Sequence, residues 1–97
     1  MAILQAFVDT RRGLRLGSFM GAPAVFVGRR LAIRLRGDDI DVRLAPAGHD
    51  LAHALLRTRV RTSAPPGWLR LSPPGTGDSI AGYLTVFEYA VRDVATA

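Results

Sequence analysis

Two neighbouring segments of the chain alternate apolar and polar residues with a period of two. In 31–36 and again in 40–45, every second residue is leucine, isoleucine or valine, and the residues between are arginine, aspartate or alanine. Successive side chains of a strand point to opposite faces, so each segment is expected to be a strand with one buried face. Gly37-Asp38-Asp39 between them suits a tight turn. With the apolar run 24–27 in front, the pattern predicts a meander of three antiparallel strands.

Three further segments carry apolar residues at helical spacing. They predict an opening helix over 2–10, a helix over 47–60 that follows Pro46, and a closing helix over 79–95 capped by Asp78 or Ser79. A fourth strand is expected at 68–71, between two loops rich in proline and glycine. The fold class is therefore predicted as α+β: a two-layer sandwich with an antiparallel sheet of about four strands and helices on one face.

The length of 97 residues suits one domain, and no change of composition divides the chain into two. We therefore expect a single domain over 1–97. The chain has no cysteine, which excludes disulfides, thiolate nucleophiles and thiolate metal sites. The longest mostly apolar stretch, 21–28, is too short for a membrane helix, and residues 1–16 do not resemble a secretory signal. These features favour a cytoplasmic protein with no membrane partner.

The charge of the chain is unusual in kind as well as in amount. All thirteen positive residues are arginine, seven of the eight acids are aspartate, and the net charge is +5. A basic surface attracts phosphate without any motif, so nucleic acid is one candidate partner. The alternative is a coding bias that has replaced lysine with arginine at ordinary solvated positions.

Enzymatic chemistry finds little support in the sequence. No serine lies in a nucleophile elbow, and Gly75-Thr76-Gly77 lacks the lysine of a phosphate-binding loop. His49 and His53 are four residues apart and would share one face of a helix, with Asp50 as the nearest third metal ligand. Two histidines near the start of a helix are more often exposed or packed residues. We therefore predict a protein that is not an enzyme, with no catalytic residue, no metal ion and no cofactor.

The best candidate for a binding site is the outward face of the predicted sheet. Arg34, Arg36 and Arg43 should lie on the same side, where Trp68 and Arg70 can join them. One interpretation is that the arginines contact phosphate while Trp68 stacks on a base. The other is that Trp68 is covered and the arginines pair with Asp41 or with water.

A protein partner or a homodimer is a further alternative. The segment 19–26 is hydrophobic for a loop, and it could line the core, a dimer interface or a small-molecule pocket. The edge strands of a small sheet are also templates for pairing with a second chain. The sequence alone does not choose among these interpretations.

Several segments resemble a known family. Residues 17–32 (GSFMGAPAVFVGRRLA) resemble the "MFG…P…F…GK.FA" segment of the TfoX N-terminal domain family. Residues 41–44 are similar to its "LKL" strand, 68–71 to its tryptophan-led strand, and 83–94 to its closing helix; the YjbR-like fold has nearly the same signature. This resemblance spans about 14–95 and implies a two-layer α+β domain with an antiparallel sheet. It also implies a binding or regulatory module, since the TfoX name is associated with the regulation of competence genes.

Overall fold

An antiparallel sheet and three α-helices make up the computed structural model of the chain, which describes residues 2–9, 11, 13–61, 64–75 and 80–96. The sheet has six strands in the order β1-β2-β3-β4-β6-β5. In chain order the elements are α1 (Ala2–Asp9), β1 (Leu14–Phe19), β2 (Ala22–Val27), β3 (Arg30–Arg36), β4 (Asp39–Arg43), α2 (Pro46–Leu56), a single 3₁₀ turn (Arg57–Arg59), β5 (Val60–Arg61), β6 (Trp68–Leu71) and α3 (Ile80–Thr96).

The α+β class and the predicted three-strand meander are confirmed, the meander being β2, β3 and β4. The predicted number of about four strands is too low. Residues 19–23 of the hydrophobic segment 19–26, which we expected to be a loop before the strand at 24–27, instead form the end of β1, a turn and the start of β2, and these two strands pair along their whole lengths. The two residues of β5 are strand only because β6 pairs with them. Neither extra strand has the long alternation that identifies β3 and β4.

Two-residue turns connect β1 to β2, β2 to β3 and β3 to β4. The turn between β1 and β2 is Met20-Gly21, with φ of 52° and 82°, and two positive values are the requirement of a type I′ turn. Gly28 and Gly37 begin the next two turns with φ of 61° each. Glycine reaches these angles without a steric cost. Met20 is the only non-glycine residue of the described chain that has a positive φ.

The hydrophobic core lies on one face of the sheet. Alternate residues of the strands, such as Val25, Ile33 and Val42, pair with one another across the sheet and are fully buried. They pack against apolar residues of all three helices. The helix residues of this core are Leu4, Phe7, Ala52, Leu56, Tyr83, Val86, Phe87, Ala90 and Val94.

The three predicted helices are confirmed, with shifted ends. The second one ends at Leu56 and continues as the 3₁₀ turn to Arg59, rather than running as one helix to residue 60. Its first turn is held from outside, because the backbone N–H of Ala45 donates to Asp93 Oδ2 of α3 at 2.9 Å. The predicted caps of the last helix, Asp78 and Ser79, lie outside the described residues. No helix in the described ranges is both long enough and apolar enough to cross a membrane.

A single buried hydroxyl ties the last helix to the sheet. Tyr83 is fully buried, and its hydroxyl donates to the carbonyl oxygen of Ser72 at 2.8 Å, directly after β6. In Tyr83→Phe we expect the free energy of unfolding to fall by about 1–2 kcal/mol, because the partly buried carbonyl of Ser72 loses this hydrogen bond. Urea denaturation measures this change. The control is Tyr89→Phe on the same helix, which should change the stability by less than about 0.5 kcal/mol; an equal loss in both variants would contradict the assignment.

Candidate functional site

The face of the sheet opposite the core is covered with arginine and aromatic side chains. The strand registers place Arg34, Asp41, Arg70 and Arg61 in one row across four strands. We call this surface the arginine-rich face. It carries six arginines against two aspartates; its residues are Arg15, Gly17, Phe19, Ala22, Ala24, Phe26, Leu31, Arg34, Arg36, Asp39, Asp41, Arg43, Arg61, Trp68 and Arg70.

Asp41 lies at the centre of this face and is fully buried. Arg70 binds it with two hydrogen bonds, from Nε to Oδ1 at 2.8 Å and from Nη2 to Oδ2 at 3.2 Å. Arg34 donates its Nε to Oδ2 at 3.2 Å from the other side. A carboxylate held by two guanidinium groups is well paired although it is out of water. The three residues together keep one net positive charge.

The hydrogen bond from its side chain to Asp41 raises the pKa of Arg70, and it outweighs the desolvation that lowers this pKa. The charges of Asp41 and Asp39 add to the increase. A basic group whose pKa is higher in the folded than in the unfolded chain stabilises the fold, and it does so fully at any pH below its pKa in the unfolded chain. This stabilisation is lost only as the pH rises through the pKa of the group in the folded chain. For an arginine this range is strongly alkaline, so Arg70 remains charged throughout the neutral pH range.

Arg34 is held between two aromatic rings as well as by Asp41. Its Cζ lies 5.6 Å from the centroid of the Phe19 ring and 4.9 Å from that of the Trp68 ring. Phe19 belongs to β1 and Trp68 to β6, so both rings reach toward the middle of the sheet from opposite sides. Cation–π contacts of this kind stabilise by about 0.5–2 kcal/mol each, depending on desolvation. The guanidinium of Arg34 therefore has a fixed position, and 16% of its side chain is exposed.

A second stack of the same kind lies nearer the β1 edge. The Cζ of Arg15 is 4.5 Å from the ring centroid of Phe26, its cross-strand partner. Both side chains lie over Gly17, because a Cβ at this position would come within 2.9 Å of Arg15 Nη1 and 3.2 Å of Phe26 Cε1. Ala24 is fully buried on this face, although it does not belong to the core cluster. Small residues in β1 and β2 thus let the larger side chains lie flat on the sheet.

The remaining cations of the face differ in their freedom. Arg61 donates to Asp39 Oδ1 at 3.1 Å in a largely exposed pair. Arg36 and Arg43 are exposed, and within the described part of the chain neither forms an ion pair or a side-chain hydrogen bond. These two arginines lie at opposite ends of the face. A ligand can bind them without first breaking an ion pair or a side-chain hydrogen bond.

All five predicted site residues lie on this one face, but not in the same state. Arg34 and Arg70 are neutralised in part by Asp41, and Trp68 is half-buried against Arg34. Only Arg36 and Arg43 remain exposed. Arg15, Phe19 and Arg61 were missed because β1 and β5 were not predicted; Phe26 lies in the predicted strand 24–27 but was not identified as a site residue. The alternation Leu14-Arg15-Leu16 was a signal for the first of these strands.

The two histidines lie on α2, in the helical part of the molecule. One nitrogen of His49, Nδ1, is 3.1 Å from the carbonyl oxygen of Ala45, four residues earlier, and His53 is exposed. Among the residues that the structure describes, no three histidine, cysteine, aspartate or glutamate side chains are grouped as a metal site would need.

Two clefts border the arginine-rich face. One, of about 360 Å³, lies at the Arg43 end and is lined by Arg30, Leu44, Asp93 and Val94 among others. The other, of about 250 Å³, lies at the opposite end beside Phe19, Met20, Arg34 and Arg36. We call the second cleft the tip pocket, because the turn between β1 and β2 forms one of its walls. Each cleft therefore contains one of the two exposed arginines.

No protein-family model, curated protein or solved structure matches the chain. What the chain does must therefore be inferred from the chemistry of its surface.

Proposed function

We propose that this chain is a non-catalytic binding module that holds single-stranded nucleic acid on its arginine-rich face. The observation that carries the proposal is the set of guanidinium groups lying over aromatic rings, on a face whose cations outnumber its anions by six to two. Proteins bind single strands by combining positive charge along the backbone with aromatic side chains against the bases.

The geometry favours an unpaired strand over a duplex. In a duplex the faces of the bases are stacked on one another and cannot contact a protein ring, whereas a single strand can turn its bases toward Phe19, Phe26 or Trp68. The exposed guanidinium groups of Arg36 and Arg43 then supply contacts to phosphate. Arg34 and Arg70 contribute less charge to binding, because both already donate hydrogen bonds to Asp41. Their main role is to hold the neighbouring side chains of the face in place.

The wider role remains part of the same proposal. The resemblance to the TfoX N-terminal domain family and the YjbR-like fold supports a two-layer domain with a regulatory role, and the absence of cysteine supports a cytoplasmic setting. Neither histidine is on the arginine-rich face, so binding there involves no obvious acid–base group.

The proposal is tested by fluorescence anisotropy with labelled oligonucleotides of about 15 residues at several salt concentrations. We expect the single strand to bind more tightly than a duplex of the same length. Each phosphate of a single strand that a protein cation neutralises contributes about −0.7 to the slope of the logarithm of the binding constant against the logarithm of the salt concentration. The double variant Arg36→Glu, Arg43→Glu should therefore show a slope shallower by about 1.4 and an affinity roughly 10- to 100-fold lower at low salt.

The matched control is the double variant Arg57→Glu, Arg92→Glu, which changes the net charge by the same amount with two exposed arginines of the helical part. We expect it to lose less than about threefold in affinity, since its charges act on the ligand only at long range. Equal losses in the two double variants, or no binding by the unmodified chain at low salt, would refute the proposal. Light scattering on the same samples identifies a homodimer, the alternative that the open edge of β1 allows.

A further inference from the structure

Met20 breaks two local rules at once. Its side chain is 89% exposed, the highest value among the large apolar residues of the described chain. Its φ of 52° lies in the left-handed region, and the first position of a type I′ turn strongly prefers asparagine, aspartate or glycine. An apolar residue that is exposed to water and also has an unfavourable backbone conformation, with no local interaction to compensate, indicates a function at that position.

The surroundings of Met20 indicate what that function is. It borders the tip pocket together with Phe19, Arg34 and Arg36. The Phe19 ring is fixed against Arg34, and Arg34 is fixed by Asp41, so one wall of the pocket is rigid. Arg36 is exposed at the same pocket. The pocket thus combines an aromatic wall, a flexible thioether chain and an exposed cation within about 250 Å³.

We propose that the tip pocket holds one unstacked base of a single strand, with Met20 packed over the base and Arg36 on the adjoining phosphate. This inference rests on the proposed function of the arginine-rich face and names the contact that distinguishes a base from a bare polyanion. A flat ring with a polarisable surface suits a thioether and an aromatic wall, and a negative group beside it suits the guanidinium. The exposure of Met20 is then explained, because the bound base covers it.

The test is a substitution that improves the fold and impairs the pocket. Met20→Asn places the preferred residue at a left-handed position, so we expect the melting temperature to rise by roughly 4–8 °C. The same variant removes the thioether chain. Anisotropy is measured with two oligonucleotides of equal length, one of ordinary thymidines and one in which every base is replaced by an abasic tetrahydrofuran.

We expect the unmodified chain to prefer the base-bearing oligonucleotide by roughly 10-fold or more, as stacking of a base on a protein commonly contributes. Met20→Asn should lose most of this preference and keep its affinity for the abasic strand. Met20→Ala, which keeps the left-handed position without the long side chain, should lose the preference with little rise in melting temperature. Leu55→Gln, a change at an exposed leucine of α2, is the control and should leave both affinities unchanged.

Each other outcome has one meaning. If the unmodified chain binds neither strand, the proposed function fails. If it binds both strands equally, binding through phosphate stands, but the base contacts are refuted both at the tip pocket and at the rings of the arginine-rich face. If Met20→Asn keeps the full preference for bases, the proposed function stands and the role of the tip pocket is refuted. If Met20 is instead required for binding to vesicles that contain phosphatidylserine, the exposed side chain inserts into a lipid surface and the base-binding role is overturned.

Discussion

In Asp41→Asn we expect the free energy of unfolding to fall by about 3–5 kcal/mol, the largest change that a single polar substitution should produce in this protein. The reason is that two guanidinium groups depend on one carboxylate that is out of water. Asparagine offers one acceptor oxygen and turns an amide N–H toward cations. Arg70, which is 9% exposed, would then be a nearly buried charge that has lost the carboxylate to which it donates two hydrogen bonds. Urea denaturation with far-ultraviolet circular dichroism measures the loss.

The matched control is Asp39→Asn, on the same strand and the same face. Asp39 pairs with Arg61, and the two side chains are 25% and 53% exposed, so water screens the interaction. Exposed ion pairs of this kind contribute about 0–1 kcal/mol, and we expect a loss in that range. Losses of equal size at the two positions would show that the triad of Arg34, Asp41 and Arg70 does not have the role that its burial indicates.

In Phe87→Ala we expect a loss of about 3–5 kcal/mol, because the substitution leaves a cavity at the centre of the core. Phe87 is fully buried, and its ring centroid lies 5.5 Å from that of Phe7 and 6.5 Å from that of Tyr83, with the rings edge to face in both pairs. Since a domain of this length has a total stability of about 5–15 kcal/mol, the variant should be close to unfolding at room temperature. Urea denaturation gives the loss, and hydrogen exchange should show α1 opening first, because Phe7 is one of its two buried anchors.

Phe26→Ala is the control, since it removes the same ring from the arginine-rich face. Phe26 is only half-buried, and no closed cavity results, so we expect a loss of about 1–2 kcal/mol. If this variant were as unstable as Phe87→Ala, the arginine–aromatic layer would be a second core rather than a surface.

Much of the fold could be predicted from local patterns. The alternation in 31–36 and 40–45 predicts β3 and β4, and helical spacing predicts all three helices. The predicted faces hold except at the register shift opposite Val25 and Phe26, where Ala32 joins the core cluster and Leu31 pairs with Phe26 on the other face. β1 was missed because Gly17 and Ser18 interrupt its alternation, and β5 because two residues carry no period. Both are strands through pairing with a neighbour, which is a property of the assembled sheet.

The candidate site, too, could be predicted from the sequence only in part. A period of two was enough to place Arg34, Arg36 and Arg43 on one face. It left open whether these arginines bind a ligand or pair with Asp41. It could not show that Phe19 reaches the middle of the sheet from β1, because this depends on small residues such as Ala24 in the strand between. It also could not single out Met20, whose left-handed backbone follows from the two-residue turn.

By itself, the sequence determined which residues share a face wherever a strand runs without interruption, because side-chain direction then follows from the backbone period. The pairing of β3 with β2 decided the exception, in which Ala32 rather than Leu31 faces the core. It likewise determined the excess of arginine. Only the tertiary structure decided which arginines are neutralised and which remain for a ligand. Arg70 meets Asp41 across 29 residues of sequence because β6 pairs with β4, whereas Arg36 and Arg43 lie where no carboxylate reaches them within the described structure. Charge pairing depends on distances of a few ångströms, and the arrangement of the strands sets those distances.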